Sequence, residues 1–108
     1  MLKSLSIKNF ILIKNANVEF KKGFNVLCGE TGAGKSIIIK ALDCVLGAKI
    51  EKTMILDSKN PCYIEAVFEK NGVETIISRQ TAAQSKFRID GVLVSLDEIK
   101  ELKNSFVD

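Results

Sequence analysis

The sequence predicts an α/β domain, and three local patterns carry that expectation. A glycine-rich loop, Gly29-Glu30-Thr31-Gly32-Ala33-Gly34-Lys35-Ser36, joins a short apolar run to a longer one. Two Asx-Gly pairs, Asn71-Gly72 and Asp90-Gly91, each divide stretches of alternating apolar and polar residues. Ser95 stands three residues before Glu98, at the head of a segment with apolar residues at helical spacing. The chain has 108 residues, a length that suits one small domain.

In chain order, residues 2–10 alternate, with Leu5 and Ile7 on one side and Ser4, Ser6 and Lys8 on the other. That period of two predicts a strand with one wet face. Asn9 interrupts it, and residues 10–13 are apolar again. Val18-Glu19-Phe20 is a second short strand, expected to pair with the first as an antiparallel edge. Lys21-Lys22-Gly23 reads as a turn. Phe24-Asn25-Val26-Leu27-Cys28 is apolar enough for a buried central strand leading into the glycine-rich loop. Residues 36–46 predict a helix whose polar positions, Ser36, Lys40 and Asp43, form one thin stripe, so that most of its sides should be buried. Gly47 is the expected stop. Residues 48–61 read as a surface connection with one short strand around Met54-Ile55-Leu56. Residues 63–70 and 73–79 alternate about Asn71-Gly72, a strong two-residue hairpin turn. Residues 86–89 and 92–94 repeat the pattern about Asp90-Gly91. Ser95 and Glu98 have capping-box spacing, so a helix should start at Leu96 with Leu96, Ile99, Leu102 and Phe106 on its buried face.

Composition excludes more than it identifies. Hydrophobic residues make up 46% and charged residues 27%, the proportions of an ordinary globular protein. The net charge of +3 is too balanced to predict nucleic-acid binding, which shows as a basic cluster. Lys21-Lys22 and the Lys86/Arg88 pair read as solvated surface. Cys28, Cys44 and Cys62 are widely spaced, and with no histidine in the chain no metal-ligand spacing arises. They read as small buried thiols in a reducing compartment. With neither an apolar leader near Met1 nor an apolar run of about 18 residues, the expectation is a cytoplasmic protein with no membrane partner.

The chemistry lies in the loop. It satisfies G-x-x-x-x-G-K-[ST], a match expected by chance in on the order of one per cent of chains this long, and the flanking strand and helix are the context the motif requires. A triphosphate must be held by many donors at close quarters. Glycines let successive backbone N–H groups turn inward as an anion nest, and the following helix adds its positive N-terminal end. Lys35 is expected to reach the β- and γ-phosphates. Ser36 is expected to offer its hydroxyl to Mg²⁺, with Ile37 contributing backbone N–H. A lysine in the first helical turn opposes the helix dipole, which an anionic ligand would offset. No apolar strand after Ser36 ends in an acidic pair. Asp57 follows Met54-Ile55-Leu56 but reads as a surface carboxylate, and Asp97-Glu98 belongs to the helix cap. Phosphate binding is therefore expected, and turnover by this chain alone is not.

The strand Leu5-Ser6-Ile7-Lys8-Asn9-Phe10-Ile11-Leu12-Ile13, followed by the loop in its Gly-Glu-Thr-Gly-Ala-Gly-Lys-Ser form, resembles the start of the RecN family of bacterial DNA double-strand-break repair ATPases, which are SMC-like. Ile64-Glu65-Ala66-Val67-Phe68, Arg79, Arg88-Ile89-Asp90-Gly91 and the terminal Val107-Asp108 extend the resemblance over essentially the whole chain. It implies a P-loop NTPase fold, the first lobe of an ABC-type ATPase head, with a mixed sheet, P-loop helix, antiparallel hairpins and C-terminal amphipathic helix across residues 1–108. It also implies that the Q-loop, coiled-coil arms, signature motif and Walker B carboxylates of the family would follow beyond Asp108. ATP and Mg²⁺ are the implied ligands, held by Gly29 to Ile37. DNA is implied for the full-length family only, with nucleoid association if that behaviour applies. Two other readings stand beside it. One is a non-catalytic interaction module that pairs with a second lobe or with another ATPase head. The other is a free-standing P-loop phosphotransferase.

Overall fold

The computed structural model describes residues 1–20 and 32–107, with side chains at 1–20 and 36–105. Among the described residues six strands form one sheet: β1 (Leu2–Phe10), β2 (Ile13–Glu19), β3 (Cys62–Lys70), β4 (Val73–Thr81), β5 (Ser85–Ile89) and β6 (Val92–Val94). Their order is β2-β1-β3-β4-β5-β6, and every described neighbour pair is antiparallel. Helix α1 (Gly32–Val45) packs on β1, β3 and β4, and α2 (Leu96–Val107) follows the last strand.

Alternation decides which face meets α1. Leu5 and Ile7 of β1, Cys62, Ile64, Ala66 and Phe68 of β3, and Ile77 of β4 point inward and are buried. Ala41, Cys44 and Val45 meet them from α1 and Leu46 from just beyond it, and Ile99 closes the cluster from α2. Each large aliphatic side chain removed from water in this way contributes roughly 1.5–3 kcal/mol before entropy is counted.

Both expected Asx-Gly turns are present for the expected reason. Asn71 and Gly72 have φ of 55° and 79°, and Asp90 and Gly91 have 51° and 84°. A two-residue turn with both centres left-handed matches the twist of the strands it joins. A Cβ added at either glycine would meet open space. The Asp90 carboxylate also accepts the Ile76 N–H at 2.9 Å, which anchors the second turn to β4.

Several boundaries differ from expectation. β2 begins at Ile13, five residues before the expected start, and Phe20 lies just outside it with its N–H on the Lys3 carbonyl. Lys14, Asn15 and Asn17 read as loop residues, yet an edge strand needs pairing on one side only. α1 begins at Gly32, before the expected Ser36, and it is wet over a wider arc than a thin stripe, since Ile39 is 38% exposed. Gly47, at φ 112°, ends the helix as expected; its N–H bonds to the Cys44 carbonyl and that of Ala48 to the Asp43 carbonyl. In α2 the capping box forms, with Ser95 Oγ accepting the Glu98 N–H at 3.2 Å. Ile99 is buried and Leu102 half-buried, but Leu96 is 40% exposed because it stands at the first turn, above the edge of the core. The Phe106 side chain, the Lys21-Lys22-Gly23 turn and the Phe24-to-Cys28 strand lie outside the described residues.

Asn9 explains the break in the first strand. Its φ of 57° turns the chain, and Phe10 rather than residue 9 enters the core. The side chain then clasps the distant 57–61 segment. Nδ2 donates to the carbonyls of Asp57 (2.9 Å), Asn60 (2.8 Å) and Pro61 (3.3 Å), while Oδ1 accepts the Asp57 N–H at 2.7 Å. Asparagine suits both demands, since it tolerates the left-handed region and carries a donor and an acceptor. Replacing Asn9 with Ala should cost about 2 kcal/mol, with Asn9→Gly recovering the backbone part alone. Denaturant unfolding of the three chains measures both parts; equal stability of Asn9→Gly and the wild type would show that the clasp contributes nothing.

Candidate functional site

Gly29, Glu30 and Thr31 lie outside the described residues, as do the side chains through Lys35. Gly32, Ala33, Gly34 and Lys35 form the first turn of α1. In a helix the first four N–H groups have no acceptor inside the helix, and half of the glycine-rich motif occupies those positions. No acidic residue stands in that first turn to neutralise its positive end. Ser36 follows with its side chain exposed, and Ile37 is half-buried against the core.

The opposite end of α1 is held from the sheet. The helix has no basic residue in its own last turn. Arg79, on the core face of β4 and only 7% exposed, supplies the charge instead. Its Nη1 donates to the carbonyl of Cys44 at 2.7 Å and to that of Ala48. Nε and Nη2 both donate to Ser85 Oγ, at 3.1 and 2.9 Å, and the guanidinium lies 4.7 Å from the centre of the Phe87 ring. Burial lowers the Arg79 pKa from its ordinary value, opposed by the neighbouring thiols. The sequence carried a signal for this residue: in β4 the inward positions are Ile77, Arg79 and Thr81, and a charge in that phase needs partners inside.

Cys44 and Cys62 are free thiols, both buried. Burial raises both pKa values, and Cys62, with Cys44 adding and Arg79 opposing, is pushed up to about 11. Cys28 lies outside the described residues. Asp57 is exposed, and its carboxylate accepts the Lys59 N–H and the Asn60 side-chain amide, which hold its pKa below the ordinary value. Its bonds thus serve its own loop. Among the described residues, no group of three or more His, Cys, Asp and Glu side chains could hold a metal ion. Of the pair expected to be solvated, Lys86 is exposed and Arg88 half-buried. No described helix is long and apolar enough to cross a membrane.

A family profile described as an AAA domain matches residues 4–106. The chain belongs to the AAA domain family. Within that family it is an N-terminal RecN-like piece. It is 40% identical to the DNA repair protein RecN of Halalkalibacterium halodurans and 35% identical to that of Bacillus subtilis, in both cases over 100% of this chain and 22% of the relative. The chain therefore spans less than a quarter of the length of these curated relatives. Among solved structures, the SMC head domain from Thermotoga maritima superposes with a TM-score of 0.69 at 26% identity, covering 94% of this chain and 41% of that one. A chain from the structural biochemistry of ATP-driven dimerization and DNA-stimulated activation of SMC ATPases gives 0.80 at 22% identity, covering 96% and 78%. The recombination mediator RecF bound to ATPrS gives 0.74 at 19% identity, covering 92% and 29%. The fold is that of SMC- and RecF-type ATPase heads.

The buried thiols tie stability to alkaline pH. An unfolded Cys62 loses its proton around the ordinary value of 9.0, whereas the folded chain keeps it until about 11. The folded state binds more protons across that window, so this contribution is complete below 9.0 and is lost as pH rises to about 11. The slope is at most about 1.4 kcal/mol per pH unit for one thiol. Melting temperatures across the window should fall more steeply for the wild type than for Cys62→Ala, and parallel curves would assign the slope to other groups.

Proposed function

We propose that this chain is the ATP-binding N-terminal portion of a RecN-like protein of DNA double-strand-break repair and recombination, holding the phosphates of Mg-ATP through Gly29 to Ile37. The observation that carries the reading is the placement of Gly32 to Lys35 as the first turn of α1, with no acidic residue there. That turn offers N–H donors and a positive dipole end to an anion. In this reading Lys35 supplies a point charge to the β- and γ-phosphates, and the exposed Ser36 hydroxyl is a hard oxygen ligand suited to Mg²⁺. The bound metal would neutralise phosphate charge, and the chain's own part is to orient the triphosphate against the helix end. DNA and a nucleoid address in the cytoplasm belong to the full-length relatives' setting and enter here as part of the proposal.

The same reading makes the chain one half of a site. In this reading residues 1–108 hold the phosphates, and they alone should bind without appreciable turnover. The exposure of Ile39 on α1, beside half-buried Ile37 and Ile38, favours a second role of the lobe as a surface for the remainder of an ATPase head. A free-standing phosphotransferase is not favoured by any described group.

Titration of the purified chain with fluorescent ATP and Mg²⁺ tests the proposal. Saturable binding is expected, weakened about tenfold or more in Lys35→Ala through loss of a charge-assisted contact. A folded wild-type chain that does not bind would refute it. ATP turnover that disappears in Lys35→Ala would refute the half-site view while preserving the nucleotide assignment.

A further inference from the structure

Arg79 is a buried cation with no carboxylate within ion-pair distance among the described residues. Its partners are the Cys44 carbonyl in the last turn of α1, the Ala48 carbonyl just beyond it, one hydroxyl on β5 and one aromatic ring. Ser85 Oγ is in turn 2.9 Å from Thr81 Oγ1, so the hydroxyl is itself fixed. A buried charge is a costly way to hold a helix, and an apolar side chain of similar volume often serves stability as well or better. What the guanidinium adds is direction, because its planar fork fixes several acceptors at set angles.

We propose that Arg79 is a positioning residue of the nucleotide site, aiming the N-terminal turn of α1 by gripping its C-terminal end. This inference rests on the nucleotide reading above. α1 has 14 residues, a rod of roughly 21 Å at 1.5 Å per residue. A tilt of about 3° around its C-terminal end moves the N-terminal turn by about 1 Å. Phosphate donors must be held to within about 0.5 Å to keep their geometry. Apolar packing along one flank resists translation of the rod well but leaves small rotations inexpensive. The Arg79 fork, placed at the far end and braced by Ser85 and Phe87, opposes that rotation. It also makes the β4–β5 hairpin part of the nucleotide site, although it touches no phosphate.

The test separates aim from stability. Arg79→Met keeps the side-chain volume and removes the fork; Arg79→Lys keeps the charge and removes the planar geometry; Arg79→Ala leaves a space the size of the missing group. Each chain is first shown to be folded by its melting transition, then titrated with fluorescent ATP and Mg²⁺ beside the wild type and Lys35→Ala. Affinity should fall on the order of tenfold in all three folded Arg79 variants. Low millimolar guanidinium should restore much of it to Arg79→Ala and none of it to Lys35→Ala. Unchanged affinity in a folded Arg79→Met chain, with Lys35→Ala defective, overturns this inference alone. A folded wild-type chain that binds no nucleotide overturns the nucleotide reading and this inference together.

Discussion

The last carbonyls of an α-helix have no partners within it, and the contact that the Cys44 carbonyl, in the last turn of α1, makes with the Arg79 guanidinium constrains the elements around it. Arg79 can reach that carbonyl only from an inward position of β4, directly opposite Ile64 on β3 and Phe87 on β5. The β4–β5 hairpin must then keep its register so that Phe87 and Ser85 flank the cation. Gly47 must reverse the chain at once, since the Ala48 carbonyl shares the same Nη1 as the Cys44 carbonyl. A side chain at Gly47 would meet both an unfavourable φ and the Leu96 Cδ1, 3.2 Å from an added Cβ. One buried charge thus ties together the helix end, two strands and the start of α2.

A second clasp acts where β1 ends beside the start of β3. Asn9 holds the 57–61 segment to β1, while the Ile11 N–H bonds to the Met54 carbonyl at 2.7 Å and the Leu56 N–H to the Asn9 carbonyl. The long connection after α1 is therefore fastened to the first hairpin through backbone groups, independently of its own polar side chains. Ile11 is held at φ 54°, a strained conformation for a β-branched residue, and the surrounding bonds maintain it. Both clasps use polar side chains to fix backbone that regular pairing does not reach.

Much of the fold was legible from local rules. The turns at Asn71-Gly72 and Asp90-Gly91, the cap at Ser95 and the stop at Gly47 each answer to a backbone requirement that few residues meet. The inward face of β3 followed from strict alternation. What escaped was decided by distant partners. The early part of β2 carries asparagines and a lysine, and it is a strand because β1 lies beside it. The start of α1 at Gly32 runs against glycine's poor helix propensity. Asn9 read as an interruption until its partners near residue 60 were known, and the grip of Arg79 needs a helix end that no local window contains. The glycine-rich motif was legible by spacing alone, and Gly32 to Lys35 now have a helical setting, while Gly29 to Thr31 lie outside the described residues.

The open space around Gly72 and Gly91 bears on how this chain can vary in length. Alignments to the RecN relatives run over 129 positions, more than the 108 residues present here, so those relatives carry segments this chain does not. Additional residues at a hairpin tip would extend into solvent and leave every buried contact in register. One extra residue in α1 would rotate all that follows by about 100° and move the last carbonyls away from their cation. The hairpin tips are therefore where evolution can write new sequence, and the helix gripped by Arg79 is where its length must stay constant.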